Sequence, residues 1–108
     1  MKHWMGAVLS ALLLLGATNS IAQPFPSKPL KILVPSTPGD GSDILARSIA
    51  QKLTERWGQP VVVENRPGAG GVVGTEAATK PPADGYTVNM ANAGSHTINQ
   101  PLYPQLSY

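Results

Sequence analysis

Short β-branched apolar runs alternate along this chain with segments in which apolar residues recur every three or four positions. The runs Leu30 to Val34, Val61 to Glu64 and Tyr86 to Met90 have the length and composition of buried strands. Between the first two runs, the helical spacing of apolar residues predicts an amphipathic helix from Asp43 to Trp57. A second, shorter helix is predicted from Val72 to Ala78.

Both ends of the longer helix carry terminal signals. Ser42 is a good N-cap, Gly58 stands where a left-handed C-terminal residue belongs, and Pro60 stops continuation. The apolar face predicted for this helix comprises Leu45, Ala46, Ile49, Ala50, Leu53 and Trp57.

The order strand, helix, strand, helix, strand predicts a βαβαβ unit, an α/β fold with a parallel sheet. In such sheets, ligands bind beyond the carboxyl ends of the strands. Three loops leave those ends, at residues 36–42, 65–71 and 91–97, and all three are expected on one rim. That rim is the predicted binding site.

The loop from Asn65 to Gly71 is rich in glycine and follows the second strand. Glycine lets backbone approach a ligand closely, and a helix that starts near Gly71 directs unpaired N–H groups at an anion. A carboxylate or phosphate would suit this spot, and a plain connecting turn is the alternative. A dinucleotide fingerprint fits less well, because Val73 stands where its third glycine should be.

The rim offers many hydrogen-bond donors and few groups for catalysis. The run Gly94-Ser95-His96 lacks the second glycine of a hydrolase nucleophile elbow, and no acid stands out to orient the histidine. One histidine without cysteine argues against a zinc site. We therefore expect no catalytic residue, no metal and no cofactor. The polar side chains of the rim are Ser36, Thr37, Ser42, Asn65, Asn92, Ser95 and Thr97.

Several rim residues also have plain structural interpretations. Ser42 and Ser95 are good helix caps, and Asn65 is a good turn former. Asp43 either contacts a ligand ammonium or a bridging water, or simply favours the dipole of the helix that it begins. Asp40 would repel an anion unless its side chain points to solvent.

Residues 1–22 have the pattern of a signal peptide. Lys2 supplies the positive start, Ala7 to Leu15 the apolar core, and Ser20 and Ala22 the small residues before a cut. The apolar run is well short of the ~20 residues that a membrane-spanning helix needs. The mature chain is then residues 23–108.

Charge and cysteine content argue against nucleic-acid binding, disulfide bonds and thiolate metal sites. Without Lys2 the chain has seven basic and six acidic residues and no basic cluster, so no nucleic-acid partner is expected. The sequence contains no cysteine, so the exported chain has neither a disulfide nor a thiolate metal site. Its stability must come from a small hydrophobic core.

Five motifs follow one another along the chain: PSKPLKILVP at 26–35, PGDGSDILAR at 38–47, GQPVVVENRPGAGG at 58–71, PADGYT at 82–87 and HTIN at 96–99. In this order they resemble the Bug family, the TctC-like periplasmic solute-binding receptors of tripartite tricarboxylate transporters. The resemblance implies that residues 23–108 are a partial N-terminal lobe of a two-lobed protein that closes on its ligand like a Venus flytrap. It also implies a monomeric periplasmic receptor, not an enzyme. Such a receptor captures a small carboxylate, either a di- or tricarboxylate or an amino acid, for a membrane permease.

The resemblance assigns carboxylate binding to the three rim loops, partly through backbone and water. The family usually has an aromatic residue where Ser36 stands and glycine where Asp40 stands, so the first loop is expected to bind a different ligand or to bind it poorly. The matching ligand-binding residues are Pro38, Gly39, Ser42, Asp43, Asn65, Gly68, Ala69, Gly70, Gly71, Ala93, Ser95 and His96.

Family members are much longer than this chain, so we expect residues 23–108 alone to bind a carboxylate weakly or not at all. Two alternatives stay open from the sequence. One is a truncated remnant without function, and the other is a small exported hydrolase that uses Ser95 or His96.

Overall fold

The computed structural model describes residues 22–108. The predicted signal peptide, residues 1–22, therefore lies outside the described residues except for Ala22. Within the described part, no helix combines the length and the apolar character needed to cross a membrane.

Three parallel strands form the sheet, as the sequence predicts. They are β1 (Leu30–Val34), β2 (Val61–Asn65) and β3 (Thr87–Asn89), and β1 lies in the middle. Ile32 of β1 stands opposite Val63 of β2 and Val88 of β3. The fold class, a parallel α/β unit, is confirmed, and all three strands end at the same edge.

The helices are α1 (Gly41–Trp57), α2 (Val72–Thr79) and α3 (Asn99–Leu102). A short 3-10 turn over Ala69–Gly71 leads into α2, as a helical extension of the glycine-rich loop. The prediction for the segment after β3 was wrong in one respect. It was expected to be a loop without regular structure, but Gly94–Ile98 forms a wide helical turn that continues into α3.

The N-terminus of α1 also differs from the prediction. The helix begins at Gly41, and Asp40 is its N-cap, with Oδ1 accepting a 2.9 Å hydrogen bond from the backbone N–H of Asp43. Ser42, the predicted cap, lies inside the first turn. At the other end Gly58 has φ 67°, and its N–H donates to the Thr54 carbonyl, as predicted for a left-handed C-terminal residue.

The hydrophobic core lies between β1 and α1. Ile32 and Val34 pack against Ala46 and Ala50, whose small side chains let the helix approach the sheet closely. Partly buried side chains complete the core, from Val61, Val63 and Met90.

The exposed part of α1 corrects the predicted apolar face. Leu45, Ile49 and Trp57 are 55%, 39% and 36% exposed, because α1 packs on β1 and β2 and these side chains project beyond that contact. Ile49 instead borders a shallow apolar groove beside β3, with a volume of about 200 Å³. The groove is lined by Leu30, Ile32, Ile49, Leu53, Trp57, Val61, Val88, Asn89 and Met90.

Gly74 explains how α2 reaches the sheet. A Cβ atom at this position would lie 2.6 Å from the Cα of Pro35 and 2.6 Å from the carbonyl oxygen of Arg66. Only glycine permits this approach without a shift of backbone. The contact holds the start of α2 against the carboxyl ends of β1 and β2.

Candidate functional site

The three loops predicted to share a rim do meet at the carboxyl ends of the strands. We call them the first loop (residues 35–40), the glycine loop (residues 66–71) and the third loop (residues 90–98). The side chain of Asn65 donates to the carbonyl of Ser36, which ties the end of β2 to the first loop. A Cβ atom at Gly71 would lie 3.3 Å from the Cβ of Ser95, which places the glycine loop against the third loop.

Asp43 connects the first loop, α1 and β2. Its Oδ2 atom accepts hydrogen bonds from the backbone N–H of Gly39 at 2.8 Å and from Nε of Arg47 at 3.0 Å. Its Oδ1 atom accepts from the Asn65 amide at 2.9 Å. Asp43 is only 3% exposed, and these three hydrogen bonds satisfy its buried carboxylate.

These contacts set the ionisation of the pair. The hydrogen bond from Arg47, followed by those from Gly39 and Asn65, lowers the pKa of Asp43 from 3.8 to about 2. The same carboxylate raises the pKa of Arg47 above its usual value. Both groups are therefore charged throughout the physiological range, and their charges offset each other.

The glycine loop has an unusual backbone. Gly68, Gly70 and Gly71 have φ values of 140°, 62° and 96°, and Ala69 between them has φ 46°. Ala69 is the single non-glycine residue with positive φ among residues 22–108. Such a conformation in a residue with a side chain is strained and is held by its surroundings, which is typical of binding sites.

The third loop is closed by a reciprocal pair of hydrogen bonds. The Asn92 side chain accepts from the N–H of Ser95 at 2.9 Å, while the N–H of Asn92 donates to Oγ of Ser95 at 3.2 Å. This is the geometry of a capping box, with serine in the position usually taken by glutamate. Tyr108 adds a hydrogen bond to the Ser95 carbonyl at 2.9 Å.

The Ser95 and His96 side chains are within hydrogen-bonding distance of each other. Oγ of Ser95 lies 2.8 Å from Nδ1 of His96. Ser95 is fully buried, however, so a substrate cannot reach its hydroxyl group. Within the described part of the chain no carboxylate contacts His96, and this arrangement gives no support to the hydrolase alternative.

The structure sorts the predicted ligand-binding residues by accessibility. Asp43, Gly71 and Ser95 are buried, and Ser42 and Asn65 are partly buried. The remaining predicted residues are exposed on the rim, namely Pro38, Gly39, Gly68, Ala69, Gly70, Ala93 and His96.

The sequence analysis missed the roles of three polar residues that organise the rim, although it expected Asn92 to lie there. Arg47 pairs with Asp43, and the i, i+4 spacing of an acid and a base on one helix was the available signal. Asn92 closes the third loop. Asn99 donates from Nδ2 to the Gly70 carbonyl at 2.9 Å and is only 4% exposed.

The described residues hold no group of three or more His, Asp or Glu side chains placed to bind a metal ion. Besides the side chains of Asp40, Arg66 and His96, the polar groups of the three loops are backbone amides, hydroxyl groups and side-chain amides. Such groups bind small polar ligands through hydrogen bonds.

Sequence comparison finds relatives over nearly the whole chain. A sequence model of the tripartite tricarboxylate transporter family receptor, TctC, matches residues 45–108. The protein BugT of Bordetella pertussis is 39% identical over 96% of this chain, and a UPF0065 protein of Agrobacterium vitis is 38% identical over 94%. This chain spans about a third of these relatives' length, 34% of BugT and 29% of the Agrobacterium protein.

Solved structures agree with the sequence relatives. One described as a periplasmic transporter superposes with a TM-score of 0.76 at 40% identity, covering 79% of this chain and 29% of that one. Rpa4515 of R. palustris, solved with adipate, gives a TM-score of 0.59 at 41% identity and covers 61% of this chain and 22% of its own. Fold, motif order and sequence identity thus agree, and this chain belongs to the TctC family of tripartite tricarboxylate transporter receptors.

Proposed function

We propose that this chain contributes the rim of one lobe in a periplasmic receptor that captures a small carboxylate and delivers it to membrane permease subunits. The observation that carries the proposal is the glycine loop, in which four successive residues have positive φ and three are exposed on the rim. Export through the leader at residues 1–22 would bring the receptor to the periplasm, where members of this family act.

The ligand contacts that we propose are the exposed rim residues together with the partly buried ones beside them. The exposed residues Gly68, Ala69 and Gly70 bring backbone N–H groups close to a ligand, a suitable environment for carboxylate oxygens. The N–H groups of Gly39 and Gly71 already donate to Asp43 and to the Gly68 carbonyl. Rpa4515, a structural neighbour, was solved with adipate, which supports a carboxylate of that size as the first ligand to test. The proposed direct contacts are Pro38, Gly39, Ser42, Asn65, Gly68, Ala69, Gly70, Ala93 and His96, and the buried residues Asp43, Gly71 and Ser95 are proposed to support them from inside the protein.

Calorimetric titration tests the proposal directly. The complete receptor that carries this chain is titrated with adipate, succinate, citrate and glutamate, and with adipamide as an uncharged control. We expect a dissociation constant in the micromolar range for at least one carboxylate and no heat with adipamide. Equal binding of adipamide, or no binding of any carboxylate, would contradict the proposal.

A pair of glycine variants locates the site. In Gly70→Ala the new Cβ meets Oδ1 of Asn99 at 3.4 Å on a backbone with φ 62°, so we expect weaker carboxylate binding. Gly58→Ala is the matched control, because Gly58 also has a positive φ, 67°, has no atom within 4 Å of its Cβ position and ends α1 at the opposite end from the rim. Equal affinities in the two variants would place the binding site elsewhere.

The separate segment 23–108 gives a further comparison. If two lobes are needed, we expect this segment to bind carboxylates much more weakly than the complete receptor, since one side of the ligand stays in water. Affinity equal to that of the complete receptor would show that one lobe suffices.

A further inference from the structure

Asp43 places a buried negative charge on the rim. Its carboxylate is buried directly behind the backbone of Gly39, on the rim where we propose that an anion binds. A negative charge there disfavours a second negative charge through Coulomb repulsion, which is strong in a site of low dielectric. An anion site at this position therefore needs a cation that offsets Asp43.

Arg47 supplies that cation, and its side chain also forms a second bond. While Nε donates to Oδ2 of Asp43 at 3.0 Å, Nη2 donates to Oδ1 of Asn65 at 3.1 Å. The Asn65 amide donates in turn to Oδ1 of Asp43 at 2.9 Å. These three side chains form a closed ring of hydrogen bonds, which we call the clamp.

The clamp spans two of the three rim loops. Through Asp43 it holds the N–H of Gly39 in the first loop, and through Asn65 it holds the Ser36 carbonyl at 3.3 Å. Asn65 is also the last residue of β2, where the chain turns into the glycine loop. A rigid network of this kind fixes the distance between two loops before a ligand arrives.

We propose that Arg47 is a positioning residue of the carboxylate site: it offsets the charge of Asp43 and, through Asp43 and Asn65, holds the first loop and the glycine loop in register. The proposal rests on the proposed function for its ligand, but the clamp itself exists without ligand. Arginine is required because only its planar fork reaches both partners at once.

The test uses the complete receptor and three variants. Arg47→Met removes the charge and both hydrogen bonds, Arg47→Lys keeps the charge but loses the fork, and Arg56→Met removes a charge from the far end of the same helix as a matched control. A double variant, Arg47→Met with Asp43→Asn, removes both charges.

The first measurement needs no ligand. The NMR shift of the Gly39 amide, in protein labelled with [15N]glycine, reports the ionisation of the Asp43 carboxylate to which it is bonded. Asp40 is the other acid beside this carboxylate, and Arg47 is the cation. In Arg47→Met we expect the Gly39 amide to titrate at higher pH than in the wild type. Arg47→Lys should fall between the two, and Arg56→Met should match the wild type.

The second measurement is adipate affinity. We expect Arg47→Met to weaken binding about tenfold or more, a coupling typical of linked sites. Arg47→Lys should recover part of the loss, the double variant should bind better than Arg47→Met alone, and Arg56→Met should bind like the wild type. The recovery in the double variant separates a charge effect from simple loss of structure.

The outcomes separate the two proposals. An unchanged Gly39 titration in Arg47→Met overturns the clamp, whatever the ligand does. A shifted titration with unchanged adipate affinity overturns the positioning role. If the wild type binds no carboxylate, the proposed function fails and the positioning role fails with it, while the Gly39 titration still decides whether Arg47 sets the charge state of Asp43.

Discussion

Asn99 donates a 2.9 Å hydrogen bond from its side chain to the carbonyl oxygen of Gly70, a residue 29 positions earlier in the chain. The contact joins the start of α3 to the strained glycine loop. Because Asn99 is buried, its amide fixes the Gly70 peptide plane from inside the protein and leaves the outer face of the loop free. The conformation of the loop thus depends on a residue outside it.

This contact predicts that Asn99→Asp is destabilising. The substitution keeps the shape of the side chain but replaces the NH2 donor with an oxygen that faces the Gly70 carbonyl. We expect a loss of about 1–3 kcal/mol in the free energy of unfolding, measured by urea denaturation at pH 7. Gln100→Glu makes the same amide-to-acid change on the exposed neighbouring residue and should alter stability by less than about 0.5 kcal/mol. Similar losses in both variants would show that the Gly70 contact contributes nothing.

Gly74 predicts a steric effect of substitution on α2. In Gly74→Ala the added methyl group would collide with Pro35 and with the Arg66 carbonyl, both backbone contacts at 2.6 Å. We expect a loss of about 1–3 kcal/mol or failure to fold, although alanine favours helices elsewhere. Gly41→Ala, with free space around its Cβ, should be neutral or stabilising by up to about 1 kcal/mol. Thermal unfolding of the two variants gives the comparison, and an unchanged melting temperature for Gly74→Ala would refute the packing argument.

The N-terminus of α1 provides a direct test of which residue caps the helix. Asp40→Ala removes the acceptor for the Asp43 N–H and should cost about 0.5–2 kcal/mol, whereas Asp40→Asn should retain most of the stability. Ser42→Ala is the control, because Ser42 lies within the first turn and is not the cap. Urea denaturation gives the free energy of unfolding of each of the three variants. A larger loss for Ser42→Ala than for Asp40→Ala would restore the original assignment.

The elements that the sequence predicted correctly are those set by local patterns. β1 is an apolar run that is buried as predicted, β2 is an apolar run that stays partly exposed, and Gly58 ends α1 with a conformation that other residues seldom adopt. Such signals need no knowledge of the rest of the fold. They are enough to place all three rim loops on one edge.

The interactions within the rim could not be predicted in the same way. Arg47 and Asn65 meet across 18 residues only because β2 lies beside β1 and α1 crosses both. The helical turn after β3 depends on the reciprocal bonds between Asn92 and Ser95, a variant of the capping box that the usual motif does not include. Long-range partners and unusual caps thus account for the errors.

The ionisation of Asp43 leads to a prediction about pH. Its pKa is lowered from 3.8 to about 2 in the folded protein, so the folded state binds this proton less readily than the unfolded state. The stabilisation is fully present above about pH 4 and is lost as the pH falls towards 2. The pKa values of Glu64 and Asp84 are also lowered, by Lys31 with Arg66 and by the Tyr86 N–H with Lys28, and they act in the same direction.

Substitution separates these contributions. In Asp43→Asn the group no longer titrates, so we expect a smaller loss of stability between pH 4 and pH 2 than in the wild type, with the remainder due mainly to Glu64 and Asp84. The variant should be less stable than the wild type at pH 7. An amide whose oxygen accepts from Gly39 and Arg47 turns its NH2 group towards the Asn65 amide, which donates to Oδ1 of Asp43 in the wild type. Urea midpoints measured across this range provide the test. If the pH dependence of stability in Asp43→Asn equals that of the wild type, the surrounding contacts do not lower the pKa of Asp43 in the folded protein.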